Sequence, residues 1–195
     1  MMLVYLVTFI TFVGSQTASG YPSGAPASSC NSMMPRHKLN GSSTVFISGQ
    51  TSTRYSVVTM ASNYSVGDVV RVWVEDNQTT GYKGILLQAR TPNGHSARGT
   101  WRSPPANTKL IACDEGNDTV THSNTMLKTH NDVYEWVPGK SYGKIQFVAT
   151  IAASRSVFWV QLKSSTINGA SHLLYSNCNL ILTMFAFLIT AALRY

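Results

Sequence analysis

Between Arg54 and Lys163 the chain is built from short runs in which side chains alternate, each run closed by turn residues. Alternation with a period of two places successive side chains on opposite faces of a strand, and a helix cannot satisfy it. Tyr55, Val57 and Thr59 alternate with Ser56, Val58 and Met60 over 54–60. After the turn Ser65-Val-Gly-Asp68, Val70, Val72 and Val74 share one face of 69–75, opposite Val69, Arg71 and Trp73. A third run covers 84–90 and stops before Pro92-Asn93-Gly94. Runs at 109–113, 118–122 and 133–137 follow, the last stopped by Pro138-Gly139, and then 144–152 and 156–163. No helical period of useful length interrupts them. Seven to nine short strands at this spacing predict an all-β fold, an antiparallel β-sandwich.

The two ends are written differently. Of 195 residues, 15 are Lys or Arg and 8 are Asp or Glu; all but Arg194 lie between Tyr21 and Asn168. Residues 1–13 are almost entirely apolar, too few for the roughly 20 needed to span a bilayer. Small and polar residues follow, with Ala18 and Gly20 at −3 and −1 of a cut before Tyr21. This predicts a secretory signal peptide over 1–20, although no Lys or Arg precedes the apolar run and a cut after Ser15 also fits. The competing reading is a buried N-terminal strand or helix. At the other end the small triplet Asn168-Gly169-Ala170, a mostly polar spacer and an apolar tail from Leu180 have the layout of a GPI-anchor signal. Asn168 is the candidate attachment residue; Gly169 and Ser176 are alternatives. A single transmembrane helix over 173–193 is the rival, and it would place Ser176, Asn177 and Asn179 in hydrocarbon.

Three cysteines occur, and Cys178 lies in the removable spacer. Cys30 and Cys113 then form an even pair suited to an oxidising compartment. Bridged, they close a loop of about 80 residues, worth ~4 kcal/mol on the chain-entropy account. Two buried free thiols are the alternative; neither has a second ligand at zinc spacing. Trp73 lies 43 residues after Cys30, too far for the Cys-to-Trp spacing of a true immunoglobulin domain. The bridge is therefore expected to staple the irregular segment 21–40 onto the sandwich. Four sequons, at Asn40, Asn63, Asn77 and Asn117, predict at least one N-linked glycan.

Catalytic chemistry has no visible carrier. The histidines of the central region, His37, His95, His122 and His130, form neither an HxH nor an HExxH pair, and the carboxylates cluster in turns. Gly116-Asn117-Asp118 lacks the spaced acids of an EF-hand loop. Nucleophile-elbow, Walker and dinucleotide motifs are missing too. The sequence predicts no enzyme, cofactor or metal site. The remaining clue is charge: Lys83, Arg90, Arg98, Arg102 and Lys109 fall in a stretch, Lys83 to Cys113, that no acid interrupts. Gathered on one face, they would attract anionic glycans, microbial surface polymers or membranes through their long-range field. The alternative is a basic surface with no particular partner. Nucleic acid is not an expected partner of a secreted chain.

Tyr21-Pro-Ser-Gly-Ala-Pro26, Cys30 and Met34-Pro-Arg-His37 resemble the opening of a reeler domain. Tyr82-Lys-Gly-Ile-Leu-Leu-Gln-Ala-Arg90 is similar to that family's most distinctive stretch. Gly99-Thr-Trp, Cys113, Thr121-His-Ser-Asn124, Trp136, 143–150 and Val157-Phe-Trp159 follow in the family order. The resemblance implies an immunoglobulin-like β-sandwich in an extracellular setting, with the domain over 21–164, a spacer over 165–179 and the tail over 180–195. It also implies that His37 and His122 hold local backbone by hydrogen bonding. Similar domains occur in reelin, in F-spondin, in ferric-chelate-reductase-like membrane proteins and as stand-alone invertebrate proteins assigned to defense. The stand-alone group is nearest in layout. The expected function is a non-catalytic recognition module at the cell surface, anchored or secreted, with an innate-immune role. A glycosylated structural or adhesive protein is the alternative, and an accessory to a ferric-chelate reductase stands below both.

Overall fold

The computed structural model describes residues 21–37 and 48–170. The leader, the C-terminal tail, Asn40 and Cys178 lie outside the described residues. Among the described residues ten strands follow a single 3-10 turn at Ala27–Ser29: β1 (Tyr55–Thr59), β2 (Asn63–Tyr64), β3 (Val70–Asp76), β4 (Gly84–Arg90), β5 (Thr100–Arg102), β6 (Thr108–Ile111), β7 (Thr119–His122), β8 (Tyr134–Val137), β9 (Lys144–Ala152) and β10 (Phe158–Gly169). They form a four-stranded sheet, β1-β3-β8-β5, and a six-stranded sheet, β2-β10-β9-β4-β7-β6. All pairings are antiparallel except β2 with β10, where Asn63 and Tyr64 run parallel to Asn168 and Gly169. The sandwich thus has one parallel clip at its edge. Among the described residues no helix is long and apolar enough to cross a membrane.

The alternation does what it predicts on β3: Val70, Val72 and Val74 are buried while Arg71 and Glu75 are exposed. Between the sheets lies an aromatic core centred on Trp136, whose ring meets Phe147 at 5.5 Å and Tyr64 at 5.2 Å, both edge-on. Such edge-to-face contacts add to the large apolar area each ring buries. A buried indole also needs an acceptor, and Trp136 Nε1 donates to the Arg98 carbonyl at 2.7 Å. Gly99, beside that carbonyl, has φ +68, and a Cβ there would stand 2.6 Å from the same indole nitrogen. Only glycine fits both constraints.

On β4 the alternation fails in an informative way, because all seven residues are buried. Ile85, Leu87 and Ala89 face the core between the sheets. Leu86, Gln88 and Arg90 point the other way, where a two-layer sandwich would leave them in water. They are covered by the irregular segment 21–37, which lies across the outer face of the six-stranded sheet as a third layer. Leu86 packs there with Met33 and Val148.

The last strand runs on to Gly169, so 165–169 belong to the sheet where the sequence reading begins a spacer. Asn168 pairs with Lys144 on one side and Asn63 on the other.

Candidate functional site

The third layer is held by side-chain bonds to backbone groups of a segment whose own backbone bonds are only local turns, such as Ser29 to Pro26 and Met33 to Ser29. An unpaired buried carbonyl or amide is costly, so each such bond both fixes and permits the covering. Thr121 Oγ1 on β7 accepts from the Ala25 amide at 2.9 Å. Thr150 Oγ1 on β9 donates to the Met33 carbonyl at 2.8 Å. His122 Nε2 donates to the Tyr21 carbonyl at 2.8 Å, and His37 Nδ1 donates to the Arg155 carbonyl at 2.5 Å. Both histidines therefore hold backbone, as the resemblance implies. The Cys30–Cys113 disulfide ties the middle of the segment to the strip after β6, with Cα atoms 5.7 Å apart. Gly24, at φ +122, passes so close to the sheet that a Cβ would meet the His122 carbonyl at 2.8 Å and Lys109 Cε at 2.7 Å.

The five cations expected to form one patch are dispersed. Arg90 is a correction: only 3% of it is exposed. Its guanidinium donates to Gln88 Oε1 at 2.7 Å and to the carbonyls of Cys30 and Asn31 at 2.5 and 3.2 Å. Burial pushes its pKa down, against the nearby Asp114 charge. It is an internal strut because β4 carries it on the covered face. Arg102 lies on β5 in the other sheet, paired with Glu135 at 3.0 Å, with Arg71 on the same carboxylate at 3.7 Å. Arg98 is half-buried in the connection after β4. Lys83 and Lys109 are both exposed, and both border the N-terminal segment.

Between that segment and the six-stranded sheet a cavity of about 360 Å³ remains. Its lining is overwhelmingly apolar, with Pro26, Met33 and Met34 from the segment and Ile85, Leu86 and Ala152 from the sheet. Lys83, Arg155 and the two backbone-holding histidines also border it, and among the described residues no carboxylate does. Among the described residues no three His, Cys, Asp or Glu groups stand close enough to hold a metal ion.

Two charged pins stabilise the loops around this framework, and neither was found from sequence. Asp76, at the end of β3, receives Arg54 Nε and Nη2 at 3.0 and 2.9 Å and the amides of Gln78, Thr80 and Gly81. The Arg54 guanidinium holds its carboxyl far below the usual carboxylate range, overcoming burial, which acts the other way. An aspartate opening a Thr/Gly-rich turn is a legible loop signal. Lys128 is fully buried, and its ammonium donates to the carbonyls of Lys83, Asn124 and Met126 at 3.0, 3.2 and 2.9 Å. Burial lowers its pKa. No local pattern announces it.

Of the sequons, Asn63, Asn77 and Asn117 present exposed side chains. Asn117, at φ +57, caps a turn in which buried Asp118 accepts from the amides of Cys113, Asp114 and Glu115. This turn is an internally satisfied carboxylate.

The sequence profile described as the Reeler domain matches residues 28–172. "Putative defense protein 3" of Antheraea mylitta is 31% identical over 173 residues, covering 88% of this chain and 99% of that protein. "Putative ferric-chelate reductase 1" of Danio rerio is 32% identical over 157 residues, 77% of this chain but 26% of that protein. Among solved structures, the human F-spondin reeler domain superposes with a TM-score of 0.50 at 18% identity, over 60% of this chain and 90% of that one. That likeness carries the immunoglobulin-like sandwich fold.

Proposed function

This chain belongs to the reeler domain family, and we propose that it acts outside the cell as a non-catalytic recognition protein of the defense type, meeting anionic glycans or microbial surface polymers. Its match to a stand-alone defense protein spans nearly the whole of both chains, whereas the reductase relative extends far beyond the matched part. The observation that carries the binding reading is the placement of Lys83 and Lys109, exposed and bordering the same N-terminal segment, with Arg98 half-buried in the connection that follows β4. Scattered cations of this kind bind a flexible polyanion by field more than by fit, so the binding weakens with salt.

The test is retention on dextran sulfate and on whole bacteria. Lys83→Glu, Arg98→Glu and Lys109→Glu together should shift elution to lower salt and reduce bacterial binding severalfold. Unchanged retention in a folded variant would overturn the reading and favour a glycosylated adhesive or structural coat protein. Glycans on Asn40, Asn63, Asn77 or Asn117 belong to this extracellular proposal, and glycosidase treatment should sharpen the mobility of the secreted protein. Anchoring through a GPI group at Asn168 belongs to it too, with phospholipase release from cells as the check.

A further inference from the structure

The cavity beneath the N-terminal segment has the chemistry of a binding site for a small amphiphile, and the polymer-binding proposal uses only Lys83 at its rim. Its volume of about 360 Å³ falls within the roughly 300–1,000 Å³ usual for small-molecule pockets. Its inner end is closed by Met33, fully buried, and Leu86, 4% exposed, with the partly buried Pro26, Met34 and Ala152 along its sides. Two methionines, Met33 and Met34, line one side. Their unbranched, polarizable side chains adapt to a flexible chain better than branched ones do. Polar character is confined to a few groups, and the charged ones, Lys83 and Arg155, are both cations.

We propose that this cavity binds a single-chain fatty acid, its alkyl chain against Met33, Met34 and Leu86 and its carboxylate at the rim with Lys83. The size favours one alkyl chain over the two of a phospholipid. The sign of the bordering charge selects an anion: Lys83 is exposed, and no salt bridge among the described residues occupies it. The mouth is suited to capture from an apolar phase. Tyr21 borders the cavity and is 51% exposed, and Met126 and Leu127, 63% and 52% exposed, directly follow the bordering residue Thr125. Exposed apolar side chains are the kind of surface that meets apolar material.

The experiment measures cis-parinaric acid fluorescence with the secreted full-length protein, and its displacement by dodecanoate, dodecanol and decanoate. The expected result is saturable binding, displaced by dodecanoate better than by dodecanol. Ala152→Phe removes the space of about three methylenes and should weaken dodecanoate by at least about tenfold. Met34→Trp fills the cavity from the opposite wall and serves should Ala152→Phe misfold. Lys83→Glu should abolish the preference for acid over alcohol and leave dodecanol binding intact. Absence of saturable binding, or tight binding unaltered in both filled variants with their melting temperatures retained, overturns the proposal. So does association with phosphatidylglycerol vesicles alone, with no displacement by the monomeric acid. The filled variants leave Arg98 and Lys109 in place and should retain dextran sulfate binding, so this proposal and the polymer reading fail separately.

Discussion

Arg90 on β4 donates to the carbonyl oxygen of Cys30 at 2.5 Å, so the residue that a charge count assigns to the surface braces the cover of the sheet from beneath. The guanidinium reaches two successive carbonyls and Gln88 at once, and a lysine ammonium cannot reproduce that planar fork.

Replacing Arg90 with Met should therefore cost stability without touching polyanion binding. The buried Cys30 carbonyl, the part-buried Asn31 carbonyl and a glutamine oxygen lose their donor, a loss on the order of 2–4 kcal/mol. Chemical denaturation gives the stability, and dextran sulfate retention should stay at the wild-type value. Arg90→Lys should recover only part of the loss. A large drop in retention with unchanged stability would return Arg90 to the surface patch.

The paired substitution Cys30→Ser with Cys113→Ser removes a cross-link spanning 83 positions of sequence. The chain-entropy account puts the cost at ~4 kcal/mol. Hydrogen exchange should show residues 21–37 opening well before the two sheets, since the bridge ties down only the covering layer.

Asp76 makes the fold acid-sensitive in a definite direction. Its carboxyl is held far below the usual range in the folded protein, foremost by Arg54, whereas the unfolded chain takes up that proton near pH 4. The stabilisation is therefore complete above about pH 4 and drains away as the pH falls toward the folded-state value. Asp76→Asn should lose ~3 kcal/mol at neutral pH by leaving Arg54 partly buried without its partner. It should also flatten the acid limb of stability against pH between about 4 and 2. An acid limb identical to wild type would exclude Asp76 as its source.

His122→Ala should lower the melting temperature by several degrees, because the imidazole closes a bond to the Tyr21 carbonyl at 2.8 Å and faces the Ile85 amide at 3.4 Å. An unchanged melting temperature would mean that the first residues of the covering segment are held by the remaining bonds alone. A variant that melts normally yet binds cis-parinaric acid less tightly would assign the histidine to the cavity.

The strands were legible to the degree that each carries its own pattern. Gly84–Arg90 and Lys144–Ala152 match residue for residue, and the turn after β4 closes where Pro92-Asn93-Gly94 places it, with the Gly94 amide on the Thr91 carbonyl. β2 and β5 were missed because two or three residues hold no period; they are strands only because β10 and β8 lie beside them. The pairing of Cys30 with Cys113 was readable from compartment and parity. The fate of Arg90 was not, because period two assigns a face but cannot say that a segment some sixty positions upstream in sequence will cover it. For the same reason the cavity had no sequence trace: Met33 and Leu86 meet only through the fold. Lys128 was invisible as well, since its three acceptors are backbone carbonyls, which every residue possesses.

Lys128 has one more consequence. Three carbonyl oxygens converging on a positive centre is the arrangement by which many extracellular loops depend on dissolved calcium or sodium. Here the positive centre is covalently part of the chain. The loop between β7 and β8 carries its own counterion wherever the protein goes, so its shape should be indifferent to chelators and to the mineral content of the surrounding fluid. For a protein proposed to work outside the cell, where that content varies, a tethered cation supplies constancy that a borrowed one would not.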